Sequence, residues 1–137
     1  MTTEICVKSR SRSEMIDITS SVQEEITQSG VKEGLCVVYV PHTTAGVTIN
    51  ECADPSVCDD IINKLNRLIP QGEGYRHIEG NSDSHIKTLL TGSSVSVIIE
   101  NSNLVLGTWQ KIFFCEFDGP RSRNIKIKII QDFTDNG

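Results

Sequence analysis

The sequence predicts an α+β domain, a single compact unit over residues 1–137 in which mostly antiparallel β-sheets pack with about three helices. Three observations predict it. Short runs such as Glu4 to Ser9, Val47 to Glu51 and Asn124 to Ile130 alternate apolar and polar residues with the period of a half-buried strand. Val57, Ile61, Ile62, Leu65, Leu68 and Ile69 recur at helical spacing instead. Strands also follow one another through short turns, with helices interposed at only a few points. A chain of 137 residues buries about two-thirds of its unfolded surface, so neither disulfides nor a metal is needed for folding alone.

Taken in order, Glu4 to Ser9 is a strand, Arg10 to Glu14 a polar turn and Met15 to Ile18 a second strand, together an opening hairpin. Thr19, Ser20 and Ser21 offer N-cap hydroxyls, Ser21 and Glu24 have capping-box spacing, and Gly30 ends the helix by accepting positive φ. Gly34 to Val40 is almost continuously apolar, which predicts a strand covered on both faces. Pro41 ends it, His42 to Gly46 forms a loop, and Val47 to Glu51 is the next strand. Asp54 and Pro55 have the N-cap and N1 chemistry of a helix that Pro70 stops.

Gln71 to Asp83, with Gly72, Gly74 and Gly80, reads as a long irregular stretch, a length that compact domains reserve mostly for function or disorder. Asp83 or Ser84 then caps a short helix with His85 in its first turn, Ile86, Leu89 and Leu90 facing inward, and Gly92 at its end. Ser94 to Glu100, Leu104 to Leu106 and Gln110 to Phe117 are strands, Asp118-Gly119-Pro120 is a turn, and Asn124 to Ile130 is the final strand before a frayed Asp135 to Gly137.

The formal charge of -5, with Lys and Arg scattered, lacks the basic stripe that displaces counterions from a nucleic acid. Aromatics at 5% are too few for base stacking. No leader-like segment and no run of about 18 apolar residues is present, which predicts a cytoplasmic chain that neither spans nor binds a membrane. Five cysteines without a C-x-x-C pair read as reduced thiols, three of them (Cys6, Cys36, Cys115) in strand-like runs.

Candidate chemistry lies in the polar stretches. His42, His77 and His85 all fall in loops or at element ends, and three imidazoles with an open fourth position form the ligand set of a catalytic zinc site. Their separations match no short zinc signature, and isolated loop histidines are more often solvated. Asn50, Glu51, Glu79 and Asp83 are placed to orient imidazole N–H groups or to supply a general base, with a capped strand end as the plainer reading of Asn50-Glu51. Trp109 in Gly107-Thr-Trp-Gln110 is either a core plug or a wall for a planar ring. Arg121 and Arg123, directly after a tight turn, offer guanidinium forks for phosphate or carboxylate, or an ordinary ion-paired hairpin end.

Three ordered blocks carry a resemblance: His42-Thr-Thr-Ala-Gly-Val-Thr-Ile-Asn50-Glu51, His77-Ile-Glu-Gly-Asn81-Ser-Asp83-Ser-His85-Ile-Lys, and Gly107-Thr-Trp-Gln110 running into Glu116-Phe-Asp-Gly-Pro-Arg121-Ser-Arg123. Together they resemble the YjbQ-like family, an uncharacterised family also labelled secondary thiamine-phosphate synthase enzyme. The resemblance implies a compact α+β homotrimer with a site near the subunit boundary and a divalent metal, zinc first, near His42, His77 and His85. It further implies an enzyme joining a pyrimidine diphosphate to a thiazole phosphate, with Mg²⁺ the commoner metal for a diphosphate. On this reading Glu51, Asp83 and Arg121 are the catalytic candidates, and Asn50, Asn81, Trp109, Arg121 and Arg123 contact the substrate. The alternatives are a zinc-dependent hydrolase of a small phosphorylated metabolite and a non-catalytic trimer that binds a metal or an anion.

Overall fold

The computed structural model describes residues 2–51 and 53–133. Its strands are β1 (Thr2–Lys8), β2 (Glu14–Asp17), β3 (Gly34–Tyr39), β4 (Ala45–Asn50), β5 (Ser94–Glu100), β6 (Asn103–Leu104), β7 (Lys111–Glu116) and β8 (Ser122–Gln131). Its helices are α1 (Thr19–Ser29), α2 (Pro55–Leu68) and α3 (Ser82–Thr91). A five-stranded sheet in the order β1-β8-β3-β5-β6 faces a three-stranded sheet β2-β7-β4, and every pairing is antiparallel. The predicted α+β class is thus the observed one.

Connectivity differs from the expectation of hairpins. Among the described residues only β5 and β6 are both consecutive and paired, through a turn where Asn101 (φ 51°) and Ser102 (φ 64°) take positive φ. The expected opening hairpin does not form: β1 pairs with β8, and β2 pairs with β7 in the other sheet. Residues 9–13 carry the chain between sheets, so that Val7 and Ile16 both turn toward the common core from opposite sides. Alternation fixes which face of a strand is buried but carries no information about its partner.

The main core lies between the two sheets. Val7, Cys36, Val38, Val97, Ile99, Ile125, Ile127 and Ile129 meet Ala45, Val47, Ile112 and Phe114, and Val22 and Ile26 of α1 close one side. Helix α1 begins without the predicted side-chain cap; the Asp17 carboxylate instead accepts the Thr19 N–H (2.9 Å), and the Thr19 hydroxyl accepts the Ile112 N–H (2.9 Å). Gly30 ends α1 at φ 74°, as predicted. On the far face of the small sheet, Phe113, Cys115 and Phe117 pack with Met15 and with Cys58, Ile62 and Leu65 of α2. Asp54 caps α2 by accepting the Ser56 N–H (3.0 Å), and Pro55 opens its first turn. The order is therefore sheet, sheet, helix.

Two faces are less covered than predicted. β3 is central in its sheet, yet only its Cys36 and Val38 side is buried; on the other side Tyr39 is exposed and Leu35 and Val37 are half-buried. Helix α3 is reversed relative to expectation, with Ile86, Leu89 and Leu90 exposed and Asp83, Ser84, Lys87 and Thr88 buried. The reversal has a local cause: Asp83, Ser84 and Lys87 on the buried face find hydrogen-bond partners that a hydropathy pattern cannot reveal, although the buried Thr88 hydroxyl finds none. The C-terminus of α3 packs so tightly on β4 that a Cβ at Gly46 would lie 2.5 Å from the Gly92 carbonyl oxygen, which restricts position 46 to glycine.

Cys6, Cys36 and Cys115 are free thiols as read, and burial pushes Cys36 up to about 11 and Cys115 up to about 12, leaving both inert at neutral pH. Cys58 departs from that reading, being disulfide-bonded. Cys52 and the Asp135 to Gly137 end lie outside the described residues. No helix among the described residues is long and apolar enough to cross a membrane.

One polar cluster joins the two sheets. Glu116, at the end of β7, is fully buried and receives Arg123 of β8 through both oxygens, with Nε 3.0 Å from Oε1. The Ser9 hydroxyl after β1 donates to Oε1 (2.6 Å), and the Asp118 N–H donates to Oε2 (3.1 Å). Arg123 also donates to the Thr44 hydroxyl (2.8 Å) just before β4. Burial by itself would raise the Glu116 carboxyl, but the Arg123, Ser9 and Asp118 hydrogen bonds outweigh it and hold the group below its ordinary range. A depressed carboxylate contributes stability above its unfolded value, about 4.3, and loses it as pH falls through the lower folded value. Glu116→Gln, which strands Arg123 in the interior, is expected to cost about 3 kcal/mol at pH 7. The cost should shrink in acid, as read by urea midpoints over a pH series; an equal loss at all pH values contradicts this account.

Candidate functional site

Beside this clamp opens a cleft of about 920 Å³. The end of β3 and the loop after it supply Tyr39, His42 and Thr44, the long loop before α3 supplies Glu79 and Asn81, α3 supplies His85, and the turn into β8 supplies Asp118, Arg121 and Arg123. The volume lies within the range of small-molecule sites. Pro41 places His42 here, because the strand must stop where proline cannot donate to the ladder.

His42 is fixed to β8. Its Nε2 lies 3.1 Å from the Asn124 backbone nitrogen and 3.0 Å from the Asn124 carbonyl oxygen, so the ring accepts or donates there according to tautomer. Burial, with Arg123 adding to it, lowers its basicity below that of an ordinary imidazole, which makes the ring neutral at pH 7. His85 lines the same cleft, and its ring meets that of His77 edge to face, with centroids 5.6 Å apart and planes at 89°. His77 Nε2 lies 3.5 Å from Glu79 Oε2.

The three histidines do not converge as one donor set. Among the described residues, no three His, Cys, Asp or Glu side chains stand close enough together to hold a metal ion. His77, His85 and Glu79 are neighbours, whereas His42 spends its Nε2 on Asn124. In this arrangement the residues do not fit a three-histidine zinc site.

The charged groups behind the cleft form an alternating row. Lys87 Nζ contacts Asp83 Oδ2 (3.0 Å), Asp83 Oδ1 contacts Arg12 Nη2 (3.0 Å), Arg12 Nη1 contacts Asp118 Oδ1 (3.1 Å), and Asp118 Oδ2 contacts Arg121 Nη2 (3.1 Å). Three cations alternate with two carboxylates, so the row carries one excess positive charge, and its exposed end is Arg121 at the cleft. The Asn81 amide also donates to Asp118 Oδ2 (2.8 Å), and Lys87 donates to Asn66 (2.8 Å). The Ser84 hydroxyl donates to the Phe117 carbonyl, which completes the buried polar face of α3.

The predicted site residues are therefore divided. His42, His85, Asn81, Arg121 and Arg123 share the cleft, with His77 behind His85. Arg123 is only 3% exposed and is committed to Glu116, while Asp83 is buried between Lys87 and Arg12. Asn50, Glu51 and Trp109 lie at the other end of the small sheet: Asn50 pairs with Lys111, whereas Ala45 pairs with Glu116 beside the cleft. Five residues of strand span about 16 Å. Trp109 is 64% exposed and lies outside the cleft. Sequence reasoning missed Ser9, Arg12, Thr44, Lys87, Glu116 and Asp118; of these only Lys87, four residues after Asp83 on one helix, left a readable pairing signal.

The description UPF0047 protein YjbQ-like matches residues 3–132. A UPF0047 protein of Methanocaldococcus jannaschii is 56% identical over 126 residues, covering 92% of this chain and 91% of its own. UPF0047 protein YugU of Bacillus subtilis is 48% identical over 90% of this chain and 95% of its own. Among solved structures, an uncharacterized conserved protein of the yjbq/upf0047 family from Clostridium acetobutylicum superposes with TM-score 0.92 at 52% identity, covering 93% of this chain and 99% of that one. A hypothetical protein from Aeropyrum pernix also gives TM-score 0.92, at 36% identity over 96% of this chain and 99% of that one. With one family spanning almost the whole chain and the same α+β fold in its solved relatives, this chain belongs to the UPF0047 YjbQ-like family.

Proposed function

We propose that the chain is an enzyme acting on a small phosphorylated metabolite, with the phosphate beside Arg121 and His85 moving a proton at the reacting oxygen. The observation that carries this reading is the pairing, across one cleft, of a half-exposed guanidinium at the end of a net-positive row with the His85 imidazole on the opposite element. Asn81, also on the cleft wall, adds an amide to a polar lining, whereas the Glu79 carboxylate there opposes an anion and leaves the attraction to Arg121. Removing one general acid–base group costs about 10²–10⁴ in rate. A panel of phosphate esters and diphosphates is therefore expected to contain a substrate whose turnover falls at least about 100-fold in His85→Ala. Equal turnover in the variant overturns the assignment of His85, and tight binding without turnover supports a non-catalytic anion-binding protein instead.

Thiamine-phosphate synthesis is the second reading, favoured by the ring-lined groove of Tyr75, His77 and His85 that adjoins the cleft. Trp109 is too remote within one chain to be its aromatic wall. The pyrimidine diphosphate and thiazole phosphate belong in the same panel as a pair, and product that persists undiminished in His85→Ala contradicts this reading.

A divalent metal, zinc first and Mg²⁺ with a diphosphate, is an alternative to proton transfer by His85 rather than part of it, since the histidines as placed do not form its site and a ligating imidazole could not also move the proton. Bound zinc would supply Lewis acidity and lower the pKa of a bound water. His77 and His85 would hold it, with His42 as third ligand only after leaving Asn124. Elemental analysis of purified protein decides this alternative: stoichiometric zinc that His77→Ala loses supports it, and zinc retained in that variant overturns the ligand assignment.

The assembly proposed is a cytoplasmic homotrimer with the cleft near a subunit boundary. Two dissimilar apolar patches support it: the outer-sheet row Ile130, Leu35, Ile98 and Val105, and Leu89 with Leu90 on α3. A cyclic trimer joins unlike surfaces, whereas a two-fold dimer needs one self-complementary patch. Light scattering is expected to give three times the 15.1 kDa chain mass and a smaller species for Ile98→Glu; a monomeric parent protein contradicts the assembly.

A further inference from the structure

His85 has two sides. One faces the polar cleft, and the other helps to line a separate groove of about 470 Å³ with Tyr75, Arg76, His77, Ser82 and Ile86, whose surface is mostly carbon. The groove has ordered walls. The Tyr75 hydroxyl donates to the Pro70 carbonyl (2.9 Å) and contacts Glu73 (3.2 Å), which fixes the phenol ring, and the edge-to-face contact with His77 fixes the His85 ring. Ile86 is 38% exposed at a helix position adjacent to His85, so its side chain is available to a ligand without rearrangement.

We infer that the groove is the subsite for the organic part of the ligand, and that the substrate class is a phosphate ester or diphosphate of an aromatic or other flat apolar group. This inference rests on the reading of the cleft as a phosphate site. The shared wall carries the argument. A ligand with its phosphate beside Arg121 and its ring against Tyr75 and Ile86 passes its linking atoms across His85; if solvent water attacks phosphorus as the P–O ester bond breaks, this is where the departing oxygen takes up its proton, while the water's proton is lost to solvent. A simple phosphate or a polyol phosphate would fill only the cleft and leave the apolar groove unused. Edge and face contacts from Tyr75, His77 and His85 favour a planar ring over a branched aliphatic chain.

Calorimetric titration of the intact protein with benzyl phosphate, cyclohexylmethyl phosphate and methyl phosphate tests this directly. Benzyl phosphate is expected to bind about tenfold or more tightly than methyl phosphate, through burial of the ring, with cyclohexylmethyl phosphate between them. Ile86→Ser, which shortens the groove wall at a partly exposed position, should reduce the benzyl preference several-fold, and Ser82→Trp, which fills the groove, should abolish it. Neither variant should alter methyl phosphate binding. Equal affinity for methyl and benzyl phosphate, or a benzyl preference that survives Ser82→Trp, overturns the inference while leaving the phosphate reading intact. If none of the three esters binds, the phosphate reading fails and the inference fails with it.

Discussion

The ion pair between Glu116 and Arg123 is the constraint from which the architecture of the site follows. It sits where four segments of two sheets come together: the end of β7, the start of β8, the residue after β1 and the residue before β4. A carboxylate excluded from water needs its charge balanced and its lone pairs filled, and here two guanidinium contacts, a hydroxyl and a backbone N–H do both. Apolar side chains of similar volume would leave no charge to desolvate, yet they would lose the directionality that sets β8 against β4. Since His42 leads into β4 and Arg121 into β8, both walls of the cleft inherit their relative position from this cluster.

A second consequence concerns α3. An amphipathic helix ordinarily buries its apolar stripe, and Ile86, Leu89 and Leu90 would make one. The opposite face is buried here because Asp83, Ser84 and Lys87 each find a specific partner in Arg12, Phe117 and Asn66. Charge alternation along Lys87, Asp83, Arg12, Asp118 and Arg121 keeps the cost of burying Lys87 and Asp83 low, since each carboxylate lies between two cations and the row runs out to solvent at Arg121. The orientation of α3 then decides that His85 points toward the cleft and that an apolar surface is left outward.

Much of the fold was legible in the sequence wherever the signal was local. Asp54-Pro55 marked the start of α2, Gly30 the end of α1, Pro41 the end of β3, and alternation in residues 124–130 marked β8. Pairing was not legible, because β1 and β2 have short-range patterns and long-range partners. The histidines, Asn81 and the two arginines were recognisable as candidates, and five of those six positions share one cleft. Their roles were less legible. Arg123 reads as an anion-binding fork but is consumed internally by Glu116, a residue whose strand context, Ile112 to Phe117, suggested only core. A buried ion pair leaves no periodic trace in either partner.

That internal consumption shapes what the cleft can select. If both arginines were unpaired, the site would bind any phosphate strongly through charge alone, and discrimination among esters would be poor. With Arg123 neutralised and Arg121 held by Asp118, the attraction for an anion reduces to one excess charge on a row open to solvent at its end, opposed by Glu79 on the cleft wall, a modest and salt-sensitive contribution. Affinity and specificity then have to come from the uncharged part of the ligand. The groove on the far side of His85 is the adjoining surface that can supply them, and its rings lie against the same imidazole that faces the anion. In the proposed reading a weak anion subsite and an apolar subsite are joined through one histidine, so recognition and proton transfer would meet at the same residue.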